Sequence, residues 1–234
     1  MSIFAMADLH LSFGQDKPMN IFGDNWDNHA EKIKDNWIKK VKEEDYVILP
    51  GDFSWATYLE DTRQEFEFLN GLPGHKILLK GNHDYWWTTV TNMRNYLKEN
   101  NFNNIDFLYN NSYLIEGKIV VGTRGWNILD TDEDSKMIHR ECARLKLSIE
   151  NAIQNYGNDK EMIVFFHYPP ITKSIIHQNE TTEFVKLLSK YNIKRCYYGH
   201  LHGNSHNDAV MGNIRGIEYK LISADFLNFE LVEI

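Results

Sequence analysis

Five short apolar runs in this chain each stop at residues able to bind a metal or move a proton. SIFAMA runs into Asp8-x-His10, YVILP into Gly51-Asp52, KILLK into Gly81-Asn82-His83-Asp84, MIVFF into His167, and RCYY into Gly199-His200-x-His202. Taken singly, each has an ordinary explanation, because Asp and Asn favour turns and caps and a lone His usually makes structural hydrogen bonds. Taken together they do not, since a parallel sheet brings the carboxyl ends of its strands to one edge. Asp8, His10, Asp52, Asn82, His167, His200 and His202 then offer seven oxygen or nitrogen donors at one place. That is more than one transition metal takes, and it matches two ions sharing a ligand.

Two divalent ions about 3.5–4 Å apart can clamp the attacking and leaving oxygens of an in-line displacement at phosphorus. The charges agree with that use. Two such cations bring roughly +4, and Asp8, Asp52 and a bridging hydroxide return roughly −3, which leaves a positive site for an anionic phosphate. Asn82 keeps this balance where an Asp would cancel it. His83 need not be a ligand: beside the metals it can protonate the departing oxygen, with Asp84 expected to fix its tautomer and raise its pKa. The nucleophile expected is the bridging hydroxide, so no Ser or Cys is required.

The elements that must position these groups are legible from the pattern. The runs are short, rich in Ile, Val, Phe and Tyr, and bounded by Gly or Pro, as buried strands are. Between them, Ile33, Trp37 and Val41 form one helical stripe, Met137, Leu145, Ile149 and Ile153 a second, and Phe184, Val185 and Leu188 a third. Strand, helix, strand in this order predicts βαβ units and a mainly parallel sheet. FLYNNSYLI and KIVVG, joined at Glu116-Gly117, predict a hairpin. The tail EYKLISADFLNFELVEI looks similar, so a second, partly antiparallel sheet is expected. WWTTVTNMRNYL reads as a helix opening at Trp86 and Trp87. Residues 11–28 and 124–134 are long connections and read as rims of a site.

The motifs DLH, GDFSW, GNHD, the His of FFHYPP, and GHLH, in this order from residue 8 to residue 202, resemble the calcineurin-like metallophosphoesterase superfamily. The resemblance implies a four-layer αββα sandwich with a dinuclear site at the strand ends. It further implies one metal held by Asp8, His10, Asp52 and His202 and a second by Asp52, Asn82, His167 and His200, with Asp52 bridging and His83 as proton donor. Two departures narrow the branch. GDFSWAT lacks the Arg of the GDxVDRG pattern of Ser/Thr protein phosphatases, and the motifs lack the tyrosine ligand of purple acid phosphatases. The pattern is more similar to small bacterial phosphodiesterases and sugar-lipid pyrophosphate hydrolases. The expectation is a phosphodiesterase or pyrophosphate-type hydrolase, with a phosphomonoesterase or a Ser/Thr-type protein phosphatase as the alternative. A non-catalytic scaffold of the same fold is the rival of another class, disfavoured because every ligand is present.

Composition bounds the remainder. With 234 residues, 42% hydrophobic and 25% charged, the chain reads as one domain spanning 1–234. A formal net charge of −8 argues against nucleic acid as partner and leaves a small phosphorylated substrate. Two cysteines, no leader-like start and no long apolar stretch suggest a cytoplasmic protein without a membrane span; the pattern does not reveal an oligomeric state. Mixed N and O ligands admit Mn, Fe, Co, Ni or Zn. Arg124, after a strand, is either a phosphate-gripping fork or a surface ion pair. DTDED at 130–134 reads as an acidic helix start rather than a calcium loop, because Ser135 stands where that loop needs Gly. His29, His75, His139, His177 and His206 are expected not to be ligands.

Overall fold

Along the first run the side chains alternate as a strand demands: Ile3, Ala5 and Ala7 join one core cluster, Phe4 and Met6 another. Both sets are buried, so this strand has a hydrophobic layer on each face. A computed structural model describes residues 1–128 and 132–234. In chain order the elements are β1 (Ile3–Ala5), α1 (His29–Lys40), β2 (Tyr46–Pro50), α2 (Arg63–Asn70), β3 (His75–Leu79), α3 (Val90–Glu99), β4 (Ile105–Phe107), β5 (Tyr113–Ile115) and β6 (Lys118–Thr123). They continue with α4 (Asp132–Tyr156), β7 (Met162–Phe166), α5 (Lys173–His177), α6 (Glu183–Lys190), β8 (Arg195–Tyr198), β9 (Gly212–Ile214), β10 (Ile217–Leu221) and β11 (Val232–Glu233).

The strands form two sheets. The first runs β11-β1-β2-β3-β4, parallel except for β11, and the second runs β5-β6-β7-β8-β10-β9, parallel through its centre with an antiparallel strand at each edge. Ile48, Ile77, Leu79, Val120, Ile163, Phe165 and Tyr197 fill the space between them. Ile33 and Trp37 of α1, Phe66 of α2 and Met93 of α3 cover the first sheet. Leu145 and Ile149 of α4 and Phe184 and Leu188 of α6 cover the second. The result is the αββα sandwich expected from the sequence, and the helical stripes fall on the buried faces.

Three local expectations need correction. FLYNNSYLI is not one strand: Phe107 ends β4 in the first sheet, and Tyr113–Ile115 starts β5 in the second. The hairpin proper is β5-β6, turned at Glu116 and Gly117 with φ of 50° and 74°, as a tight primed turn requires. The tail likewise divides, β10 entering the second sheet and β11 pairing with β1 in the first. The helix after the GNHD tip begins at Val90, not Trp86, because Thr89 caps it by accepting the Asn92 N–H at 3.3 Å. No helix among the described residues is long and apolar enough to cross a membrane.

The sheets meet at the site edge. Beyond β10, the Ala7 N–H donates to the Ile222 carbonyl at 2.8 Å and the Ala224 N–H to the Ala7 carbonyl at 3.0 Å. The exit of β10 therefore runs beside the exit of β1.

Candidate metal centre

The strand tips leave the sheets through strained turns. Asp8, His10, Asp52 and His200 have φ of 62°, 46°, 52° and 74°, the left-handed region that non-glycine residues seldom occupy. Such backbone persists where its surroundings over-determine it, commonly at functional sites. Here Asp8 N–H donates to the Gly51 carbonyl at 2.9 Å, His10 N–H to the Asp52 carbonyl at 2.9 Å, and Leu11 N–H to the Phe53 carbonyl at 3.0 Å, lacing the first two tips together. Two glycines permit the closeness. A Cβ on Gly81 would strike the Asp52 carboxylate and amide, and one on Gly199 would strike the Asp8 carboxylate and the Ala7 side chain.

The tips bring most of the anticipated ligands together. Three groups have donor atoms all within 4.8 Å of one another: Asp8, His10 and His202; His10, Asp52 and His83; and Asp8, Asp52 and His167. Asp8, His10 and Asp52 each belong to two of them, so the groups overlap into one cluster. Asn82 joins through Oδ1, 2.7 Å from His167 Nε2. His200 lies at the margin, its ring centroid 5.1 Å from that of His167, while its backbone N–H donates to Asp8 Oδ2 at 2.9 Å.

These residues fit a cation pair. His167 Nδ1 donates to the Pro50 carbonyl at 3.1 Å, which turns the Nε2 lone pair toward Asn82 Oδ1. Likewise His202 Nδ1 donates to Asp225 Oδ1 at 2.9 Å, leaving its Nε2 3.3 Å from His10 Nε2. Two imidazole nitrogens bound about 2.0–2.1 Å from one tetrahedral ion stand about 3.3–3.4 Å apart. Asp8 Oδ1 is buried without a hydrogen-bond partner, a costly state for a carboxylate oxygen unless a cation faces it.

Electrostatics prepares the donors. Burial pushes the His10 imidazole down to about 3 and the His200 imidazole down to about 4, so both rings offer lone pairs. Burial would raise Asp52, but the neighbouring imidazoles, His167 foremost, hold it well below the usual carboxylate range. For His202, burial is outweighed by the Asp8 and Asp225 carboxylates, which raise it to about 10.

Asp84 is not where the sequence reading puts it. Its carboxylate makes no hydrogen bond to His83. It turns beneath the loops and accepts the N–H groups of Asp52, Phe53, Ser54 and Gly81 at 2.9, 2.9, 3.3 and 2.7 Å, and the Trp86 indole N–H at 3.0 Å. The reason is backbone accounting: two adjacent strand tips leave buried N–H groups that the sheet cannot satisfy. Burial and the Asp52 charge raise Asp84 to about 6. His83 instead has Nδ1 2.7 Å from Asp52 Oδ2, and its side chain is 32% exposed at the open face.

Asp225 is missed by the sequence reading. It comes after β10 as Asp8 comes after β1, and LISAD repeats the pattern of an apolar run ending in an acid, which was the available signal. The sequence leaves Trp55 ambiguous between packing and site. Its ring stacks on His10 with centroids 4.9 Å apart and lies 4.3 Å from His83, so it walls the centre. Trp26, from the 11–28 connection, is buried edge-on to His10 and His202. Arg124 stands beside the site: its carbonyl accepts the N–H groups of His167 and Tyr168, and its guanidinium lies 4.5 Å over the Trp126 ring. Its Nε is buried without a partner. Asp132 to Asp134 open α4 as an acidic start, while Asp130 lies outside the described residues.

The model of the calcineurin-like phosphoesterase family matches residues 1–204. This chain belongs to that family. The phosphoesterase shares its fold with a protein of unknown function, AQ665 from Aquifex aeolicus, at 18% identity and TM-score 0.53 over 99% of this chain and 95% of that one. It also resembles the phosphopantetheinyl hydrolase PptH of Mycobacterium tuberculosis, at 14% identity and TM-score 0.60 over 100% and 95% of the two chains. A third likeness is TT1561 of Thermus thermophilus, at 14% identity and TM-score 0.54 over 86% and 81%. No curated protein matches the phosphoesterase in sequence. The family and the Asp/His groups make it a metal-binding enzyme that hydrolyses phosphoesters.

Proposed function

We propose that the chain hydrolyses a small phosphodiester or pyrophosphate at a pair of divalent cations. The observation that carries this reading is the convergence of Asp8 and Asp52, both buried, with His10, His167 and His202, where Asp8 Oδ1 is left without a hydrogen-bond partner. Asp8, His10 and His202 would hold one ion and Asn82, His167 and His200 the other, with Asp52 between them. Bound there, the cations would neutralise phosphate charge and acidify a water.

The remaining work falls to side chains. Asn82 supplies an oxygen without adding negative charge. His83, its Nδ1 engaged by Asp52, has Nε2 with which to pass a proton to the departing oxygen. Trp55, packed on the His83 ring, limits its swing. Asp84 acts by fixing the two loops rather than by touching the reaction. Arg124, whose carbonyl braces the His167 loop, would draw a phosphate oxygen with its guanidinium. The GDFSWAT text, which lacks the protein-phosphatase Arg, favours a small-molecule substrate over a phosphoprotein.

Hydrolysis of bis(p-nitrophenyl) phosphate tests the reading. Activity with added Mn²⁺, its loss on chelation, and its absence in His167→Ala are expected. Full activity in the chelated protein would overturn it.

A further inference from the structure

A groove of about 830 Å³ opens beside the His83 tip. Recesses of roughly 300–1,000 Å³ are typical for small organic ligands. Tyr85 links groove and centre: its N–H donates to the His83 carbonyl at 2.8 Å, its ring stands edge-on to the His83 ring with centroids 6.3 Å apart, and it lines the groove. Tyr58 faces the same space, and the two residues are 67% and 62% exposed for Tyr58 and Tyr85. Glu60, Glu99, Asn92 and Asn95 supply the polar lining, and no Lys, Arg or His contributes. Of the cations near this edge, Lys80, Arg124 and Arg144 gather around Glu141, next to the His167 loop, and Lys17 lies 3.7 Å over the Trp55 ring, outside the groove lining.

This asymmetry bears on the substrate. A general acid must stand beside the oxygen that departs, so the leaving group lies on the His83 side. The space there is aromatic and acidic. Exposed Tyr rings accept carbon frameworks and attract positive charge on their faces. A leaving group carrying its own phosphate or carboxylate would meet Glu60 and Glu99 with no Lys, Arg or His in the groove lining to offset them, and like charges in contact are strongly disfavoured. We propose that this groove receives the departing alcohol of the substrate, and that this alcohol carries no negative charge. The inference rests on the hydrolase reading and narrows it: an ester of a neutral or cationic alcohol is favoured, and a diphosphate is disfavoured. In the reaction the P–O bond to the alcohol breaks as a water oxygen bonds to phosphorus. The electron pair leaves with the alkoxide, His83 gives it a proton, and a proton of the water makes good that loss.

The test compares methyl p-nitrophenyl phosphate with its ring-carboxylated counterpart on the Mn²⁺-loaded protein at low salt. The carboxylated ester is expected to show at least about a tenfold lower kcat/KM. The double variant Glu60→Lys/Glu99→Lys should close or reverse that gap, and the single changes Glu60→Gln and Glu99→Gln should narrow it in part. Both glutamates are exposed, so the variants should fold, and Mn²⁺ uptake reports whether each keeps its centre. Equal kcat/KM for the two esters, or a gap unchanged in the double variant with Mn²⁺ uptake intact, overturns this inference alone. No turnover of either ester overturns the hydrolase reading, and this inference with it.

Discussion

Asp225 Oδ1 lies 2.9 Å from His202 Nδ1, and the same carboxylate accepts the Gly203 N–H at 3.1 Å and faces His206 Nε2 at 3.2 Å. The exit of β10 thereby orients His202, on the exit of β8, which on the proposed reading would hold an ion. A carboxylate behind a metal-binding imidazole sets its tautomer and strengthens it as a donor. Asp225→Ala should therefore weaken divalent-metal affinity by about 10–100-fold, read by calorimetric titration. Unchanged affinity would mean that the hydrogen bond is only structural.

Asp84 makes a different prediction, because it holds backbone rather than His83. Asp84→Ala strands four buried N–H groups and the Trp86 indole. At about 1–3 kcal/mol for each unsatisfied group, partly relieved by water, unfolding free energy should fall by about 3 kcal/mol or more. His83→Ala, at a partly exposed ring, should cost about 1 kcal/mol or less. Denaturant titrations of the two variants check this, and equal small losses would return Asp84 to a role beside His83.

Asn82→Asp adds a carboxylate to a centre that already buries Asp8 and Asp52. The variant should keep or tighten its metals while losing at least about tenfold in kcat/KM, since the field that draws an anionic phosphate is cancelled. Metal content and steady-state rates, measured on one preparation, separate these effects. A loss of metal instead would show that the amide serves geometry rather than charge.

Lys76, within β3, gives a pH signature away from the metals. Its side chain is buried, and Nζ donates to the carbonyls of Leu72 at 2.5 Å and Gly74 at 2.8 Å. Burial pushes its pKa down to about 7. An unfolded lysine titrates near 10.4, so between these values the unfolded chain holds more protons and stability rises with pH. The slope from this group is at most about 1.4 kcal/mol per pH unit. In Lys76→Met that component vanishes, so the stability difference between the two proteins should change steadily from pH 7 to pH 10. A constant difference would show that Lys76 keeps an ordinary affinity for its proton in the folded chain.

Much of this was legible in the chain because each strand end is marked twice, by an apolar run and by the polar cluster that stops it. Asp8, Asp52, Asn82 and His167 could be brought to one edge by the rule for parallel strands alone. Adjacency along the chain does not say which way a side chain points after a tight turn. His83 and Asp84 are neighbours in sequence, yet one faces the opening and the other packs beneath the loops. Asp225 escaped notice because its partner is 23 residues earlier and on another strand. The division of FLYNNSYLI between two sheets was hidden for a similar reason: it reads as one run of the hairpin, whereas the crossing between sheets depends on long-range packing. Packing alone separates Trp55, stacked on His10 and His83, from Trp126, which lies under Arg124.

On the proposed reading, Asp52 joins two ions at the meeting of the strand tips. Calorimetric titration of chelated protein with Mn²⁺ tests it most directly. Two ions bound per chain are expected, with loss of both in Asp52→Ala while Lys76→Met still binds two. A single ion per chain, or two ions retained without the Asp52 carboxylate, would contradict it.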